Sequence, residues 1–166
     1  MKKIILTIIA VFITLCSISA KHKKIKICKH GVVVSNIQSI YMHRTACFGK
    51  CPDYIIEINN NGNVKYSGVR FVKDTGVYEK HFKLASIKAL FDQFSQARLD
   101  TCKDEYENRI PDLPGLIYKI TYKDKVKNIR NAHSGPLFLR FLSSSVDSLV
   151  QVDDSWKKLP NVIIKR

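Results

Sequence analysis

The chain has no apolar run long enough to cross a bilayer as a helix, which takes about 20 residues. Its longest such run, Ile4 to Leu15, is broken by Thr7 and Thr14. There is no internal repeat, which excludes stacked-repeat architectures, and no low-complexity linker divides the chain. Acidic residues are scarce, 14 Asp and Glu against 28 Lys and Arg, for a net charge of +14. A surplus of that size disfavours self-association and favours anionic partners. No spaced calcium loop is present. His133-Ser134 lacks the flanking glycines of a nucleophile elbow and reads as a helix entrance. The acidic stretch Asp100, Asp104, Glu105, Glu107 and Asp112 reads as a solvated face, with Asp112 a turn former before Leu113-Pro114.

At the N-terminus Lys2 and Lys3 precede the apolar run, and the small residues Ser17, Ser19 and Ala20 follow it. This is the pattern of a secretory signal peptide, so residues 1–20 are expected to be a leader cleaved after Ser19 or Ala20. Ile13-Thr14-Leu15-Cys16 distantly resembles a lipoprotein box, in which the cysteine is acylated; Leu15 stands where a small residue is usual. Cys16 is thus the alternative, a lipidation site. Loss of Lys2 and Lys3 lowers the net charge by two, from +14 to +12. In the periplasm or cell envelope, the anions on offer are lipid headgroups and polysaccharide rather than nucleic acid. The plainer reading of the charge is a solubilising surface on a monomer.

Without Cys16 the cysteines are Cys28, Cys47, Cys51 and Cys102. An even number in an exported chain reads as a disulfide framework, and four permit three pairings. The expected set is Cys47–Cys51 with Cys28–Cys102. On chain-entropy grounds the short bridge contributes about 2 kcal/mol and the long one about 4.5 kcal/mol. Free thiols at the second pair are the alternative.

Residues 21–31 form a basic arm, and residues 32–166 are expected to form one domain. Val32 to Tyr41 is β-prone. Tyr54, Ile56 and Ile58 alternate with Ile55, Glu57 and Asn59, the period of a half-buried strand. Asn61-Gly62 suits a hairpin turn, and Val64, Tyr66 and Gly68 return from it. A further strand runs from Gly76 to Phe82. Ile87, Leu90, Phe91, Phe94 and Ala97 change the period to three and four, predicting an amphipathic helix over 85–99. After an irregular segment over 100–115, Leu116, Tyr118, Ile120 and Tyr122 alternate, turn at Asp124-Lys125 and return through Val126 and Ile129. Ser134-Gly135-Pro136 predicts a second helix start, with serine capping and proline in the first turn. Trp156 and Val162-Ile163-Ile164 are expected to pack back on the body. The fold class is α+β: a single antiparallel sheet built from hairpins, with two amphipathic helices on one face.

The spacing C-x-x-x-C-P at Cys47 and Cys51 resembles copper-delivery proteins of the thioredoxin-like class, with His133 as a distant ligand. There the motif leads into a helix, whereas Pro52 here leads into a strand. His43, Cys47 and Cys51 would align as metal ligands on a helix, which Gly49 and Pro52 oppose.

The run Arg44-Thr45-Ala46-Cys47-Phe48-Gly49-Lys50-Cys51-Pro52-Asp53-Tyr54, followed by Gly62, Tyr66 and Gly68, resembles a bacterial domain family found in exported proteins and lipoproteins. That family is known only as a domain of unknown function. Tyr106 and Asp112-Leu113-Pro114 match later positions, and Asn61 stands where aspartate is common. The resemblance implies a signature (Arg44, Cys47, Phe48, Gly49, Cys51, Pro52, Tyr54, Gly62, Tyr66, Gly68 and Asp112) but no activity, catalytic residue, metal or cofactor. The expected function is an exported cell-envelope domain, a binding or structural module that engages another envelope component. In it Cys47–Cys51 clamps a loop, Gly49 permits the tight path, and Arg44 holds loop carbonyls or faces a ligand. One alternative is thiol–disulfide or copper handling by Cys47 and Cys51. The other is peripheral binding of anionic lipid or polysaccharide through the basic arm.

Overall fold

Alternation and hairpin turns build the sheet from its middle outward. The computed structural model describes residues 36–107 and 112–160. Strands β1 (Ile37–Arg44), β2 (Asp53–Asn59), β3 (Asn63–Arg70) and β4 (Gly76–His81) are followed by helix α1 (Leu84–Gln96). Then come β5 (Leu116–Tyr122), β6 (Val126–Ile129), α2 (Leu137–Leu149) and β7 (Lys157–Leu159). All seven strands form one antiparallel sheet in the order β6-β5-β1-β2-β3-β4-β7. The α+β architecture expected from the sequence is the one observed. Among the described residues, no helix is long and apolar enough to cross a membrane.

The turns are made where the local chemistry asks for them. Gly62 has φ +96°, and its N–H donates to the Asn59 carbonyl at 3.0 Å, closing the β2–β3 hairpin. The Asn61 side chain accepts from the Asn63 N–H at 3.1 Å. Tyr122 N–H reaches the Lys125 carbonyl at 2.8 Å, making the β5–β6 turn.

One sheet face is apolar because its in-register partners are apolar: Ile40 opposite Ile58 and Ile120, Met42 opposite Ile56 and Tyr118, Ile56 opposite Tyr66. Ile87, Leu90, Phe91 and Phe94 of α1 and Leu139, Leu142 and Val146 of α2 complete one core against that face. Phe94 meets Tyr118 edge-on at 5.8 Å, and the Tyr118 hydroxyl donates to the Leu139 carbonyl at 2.8 Å. Truncating a fully buried phenylalanine of this kind costs about 3–5 kcal/mol.

Several boundaries differ from the sequence reading. Helix α1 ends at Gln96 because Arg98 turns left-handed at φ +50°, and Leu99 packs from a 3₁₀ turn instead. Ser134 does not cap α2. Asn131, at φ +53°, starts a separate turn over Ala132–Ser134, and Pro136 takes the N-cap position without a side-chain cap bond. Strand β7 had no alternating signature; it forms by pairing with β4. Val32 to Val34, the basic arm, and Val162-Ile163-Ile164 lie outside the described residues. Trp156 is buried and packs edge-on to Phe82 at 5.6 Å, as expected.

Candidate functional site

The β1–β2 loop, residues 45–52, carries the two cysteines. Cys47 and Cys51 form a disulfide with Cα atoms 5.5 Å apart, and the Gly49 N–H donates to Cys47 Sγ at 3.2 Å. The bridge lies in a loop that joins two strands, and neither cysteine belongs to the first turn of a helix, the position that lowers a reactive thiol's pKa. Gly49 is not the residue that permits this path. It has no positive φ, and a Cβ there would only touch Cys47 Sγ at 3.7 Å. Closure comes instead from the disulfide and from the loop preceding β5. Thr45 N–H donates to the Gly115 carbonyl at 3.0 Å, and Gly115 N–H donates to Thr45 Oγ1 at 2.9 Å. Phe48 N–H reaches the Asp112 carbonyl at 3.4 Å, with Asp112 itself left-handed at φ +65°.

Arg44 neither caps loop carbonyls nor stands free for a ligand. It ends β1 on the helix face, and its guanidinium meets α2. Nη2 donates to Asp147 Oδ2 at 2.5 Å and to Ser143 Oγ at 2.9 Å, and Nε donates to the same carboxylate oxygen at 3.1 Å. Tyr54, in register with Arg44, donates its hydroxyl to the other carboxylate oxygen at 2.7 Å. Ser143 and Asp147 are one helical turn apart, so both face the sheet. Burial is the largest single influence and works against the Arg44 charge, but the bond to Asp147, the charge of that carboxylate and Tyr54 together outweigh it and hold the guanidinium above its ordinary pKa. Burial, then the bond to Asp147, pushes the Tyr54 phenol well above the usual tyrosine range. The group is a clasp that fastens α2 to the two strands flanking the disulfide loop.

Tyr54, Tyr66 and Tyr78 lie side by side across β2, β3 and β4, with ring centroids 5.7 and 6.2 Å apart. Gly68, in register with Tyr54, makes room for this row. A Cβ there would lie 2.0 Å from the Asp74 carbonyl and 3.0 Å from the Tyr66 ring. Burial, then Asp74, pushes Tyr66 up to about 12. Arg44, Tyr54, Tyr66 and Gly68 are thereby brought into one network beneath the loop.

Above that network the surface changes character. Phe48, at the tip of the clamped loop, is 90% exposed. The β3–β4 loop presents Phe71, 49% exposed, and the loop before β5 presents Leu113, 37% exposed. All three loops leave the same end of the sheet, where β1 and β3 finish and β2, β4 and β5 begin. Phe71 sits at φ +54°, a left-handed conformation uncommon for a bulky residue. The Arg70 guanidinium lies 5.7 Å over its ring. Phe71, Leu113, Ser143 and Asp147 were missed by sequence reasoning. The serine and aspartate carried only an i, i+4 spacing on a helix otherwise read for its apolar face.

On the opposite sheet face, Asp53 is 2% exposed, with His43 Nε2 at 3.1 Å and Arg70 Nε at 3.6 Å. His43 therefore faces Asp53 from a strand and does not align with the cysteines on a helix. No cluster of three His, Cys, Asp or Glu suited to a metal occurs among the described residues. A polar groove of about 570 Å³ runs over β2, β3, β4 and β7, lined in part by Glu57, Lys65, Glu79 and Lys157. Those charges pair with each other across the strands. Cys102 is half-buried and forms no disulfide with a described residue, and its expected partner Cys28 lies outside the described residues, as does Cys16. His133 lies in the turn before α2.

None of the curated proteins matches this chain. A family model described as a domain of unknown function, DUF6438, matches residues 38–150, spanning β1 through the end of α2 and so the disulfide, the clasp and the tyrosine row. The chain belongs to that family.

Proposed function

We propose that this protein is an exported, cell-envelope binding module whose recognition surface is the loop end of the sheet. The observation that carries the reading is Phe48, 90% exposed on a loop closed by a disulfide. An aromatic ring held in water by covalent closure contributes nothing to the core, and exposed apolar groups gathered at one place mark interaction sites. The leader-like pattern of residues 1–20 supports export, and so does a disulfide, which persists mainly in oxidising compartments. The Arg44–Asp147–Tyr54 clasp braces the strands that carry the loop, so less of the loop has to be ordered on binding. Thiol exchange or copper handling by Cys47 and Cys51 draws less support, because the pair sits in a strand-to-strand loop and not in the first turn of a helix.

The test is a photo-crosslinking residue placed at Phe48 in an expressing host, with Asn61 at the opposite end of the sheet as control. Adducts are expected at position 48 and not at 61, and they are expected to fall when Cys47 and Cys51 are both changed to serine. Equal, background labelling at both positions overturns the reading.

A further inference from the structure

We infer that the loop end of the sheet docks on an anionic lipid bilayer, an assignment that rests on reading that end as the recognition surface. Apolar tips come from three separate loops: Phe48, Phe71 and Leu113. Basic residues are interleaved with them. Lys50 follows Phe48 by two positions, Arg70 precedes Phe71 and Lys73 follows it by two, while Asp74 and Asp112 stand in the same loops and Arg70 is paired with Asp53. Lys50 and Lys73 are exposed, and neither makes an ion pair with a described residue. Phe71 holds a left-handed backbone while its ring stays half in water, so the chain tolerates strain where an apolar group is displayed.

The composition distinguishes a bilayer from a protein partner. Lysine is depleted from protein–protein interfaces, whereas apolar and aromatic tips ringed by lysine and arginine suit the membrane interface. There the rings enter the headgroup region and the ammonium groups meet lipid phosphates. Each basic residue near an anionic leaflet adds about fivefold in affinity. The net charge, +14 for the full chain and +12 without residues 1–20, acts in the same direction over longer range.

The test uses the oxidised chain purified from an exporting host and phosphatidylcholine vesicles with and without phosphatidylglycerol. Binding is expected only with phosphatidylglycerol, weakening steeply with salt. Phe48→Ala and Phe71→Ala are each expected to weaken it about tenfold or more, the value of burying one phenylalanine. Both positions are exposed, so circular dichroism should stay unchanged. Phe48→Trp is expected to show a blue-shifted emission when vesicles are added. The inference is overturned if the alanine variants bind like the parent, or if the tryptophan emission does not move. It is equally overturned if neutralising the lysines between residues 21 and 29 abolishes binding while Phe48→Ala and Phe71→Ala do not affect it. If vesicles fail but the crosslinker at position 48 captures a protein, the bilayer assignment falls and the recognition reading stands. If neither captures anything, both fall.

Discussion

Asp147→Asn isolates the electrostatic part of the clasp beneath the loop. The substitution keeps the side chain's shape while removing the charge that receives Arg44 and the Tyr54 hydroxyl. The Arg44 and Asp147 side chains are 28% and 31% exposed, so the pair is neither a screened surface contact nor a fully buried one. Hydrogen bonds to charged groups contribute about 1.5–3 kcal/mol each when well shielded, and exposed pairs contribute about 0–1 kcal/mol. Three bonds converge on this carboxylate, and one-third exposure reduces each, which places the expected loss at about 2 kcal/mol. In a domain of this size that corresponds to a melting shift of about 4–8 °C. Urea unfolding should show a lower midpoint at unchanged slope, since the surface exposed on unfolding is the same. Arg44→Met should cost a similar amount. The double variant should cost clearly less than the sum, with a coupling of about 1 kcal/mol, because both remove the same bonds. Independent, additive effects, or a loss below about 0.5 kcal/mol for Asp147→Asn, would mean that α2 is held by its apolar face alone.

Two further outcomes follow from the tyrosine row. Burial raises the phenols of Tyr54, Tyr66 and Tyr118 in the folded state, Tyr66 to about 12. In the unfolded chain they titrate near 10, so the stability they contribute is full below pH 10 and is lost as pH rises toward and past 12. Phenolate absorbance should therefore show a late-titrating group that ionises together with loss of near-ultraviolet circular dichroism. A single wave near pH 10 for all seven tyrosines, with the fold intact, would refute this. Gly68→Ala should destabilise strongly, since its Cβ meets the Asp74 backbone, whereas Gly49→Ala should lie within about 0.5 kcal/mol of the parent, as surface changes usually do; denaturant midpoints for the two variants check the contrast.

What could be read in advance was local. The alternation at Tyr54, Ile56 and Ile58, the Asn61-Gly62 turn and the three-and-four spacing of Ile87 to Phe94 each lie within one element, and each depends on neighbours only a few residues away. So does the disulfide, whose cysteines are four positions apart. Arg44 drew notice by its place before the cysteines, but its partner Asp147 lies 103 positions further on. Nothing in a helix read for leucine and phenylalanine marks one aspartate as the acceptor. The αL backbone of Arg98 and Phe71 was equally silent, since these side chains do not advertise a positive φ as glycine does.

The amino-acid order by itself thus determined the period of each segment, its hairpin turns and the closure of one loop, because those depend on bond rotations and contacts between near neighbours. Only the tertiary structure decided that β1 lies between β2 and β5, that Arg44 meets Asp147, and that Phe48, Phe71 and Leu113 share one rim. These are long-range pairings, chosen by how the sheet and both helices bury their apolar faces together, and no stretch of chain holds that information alone.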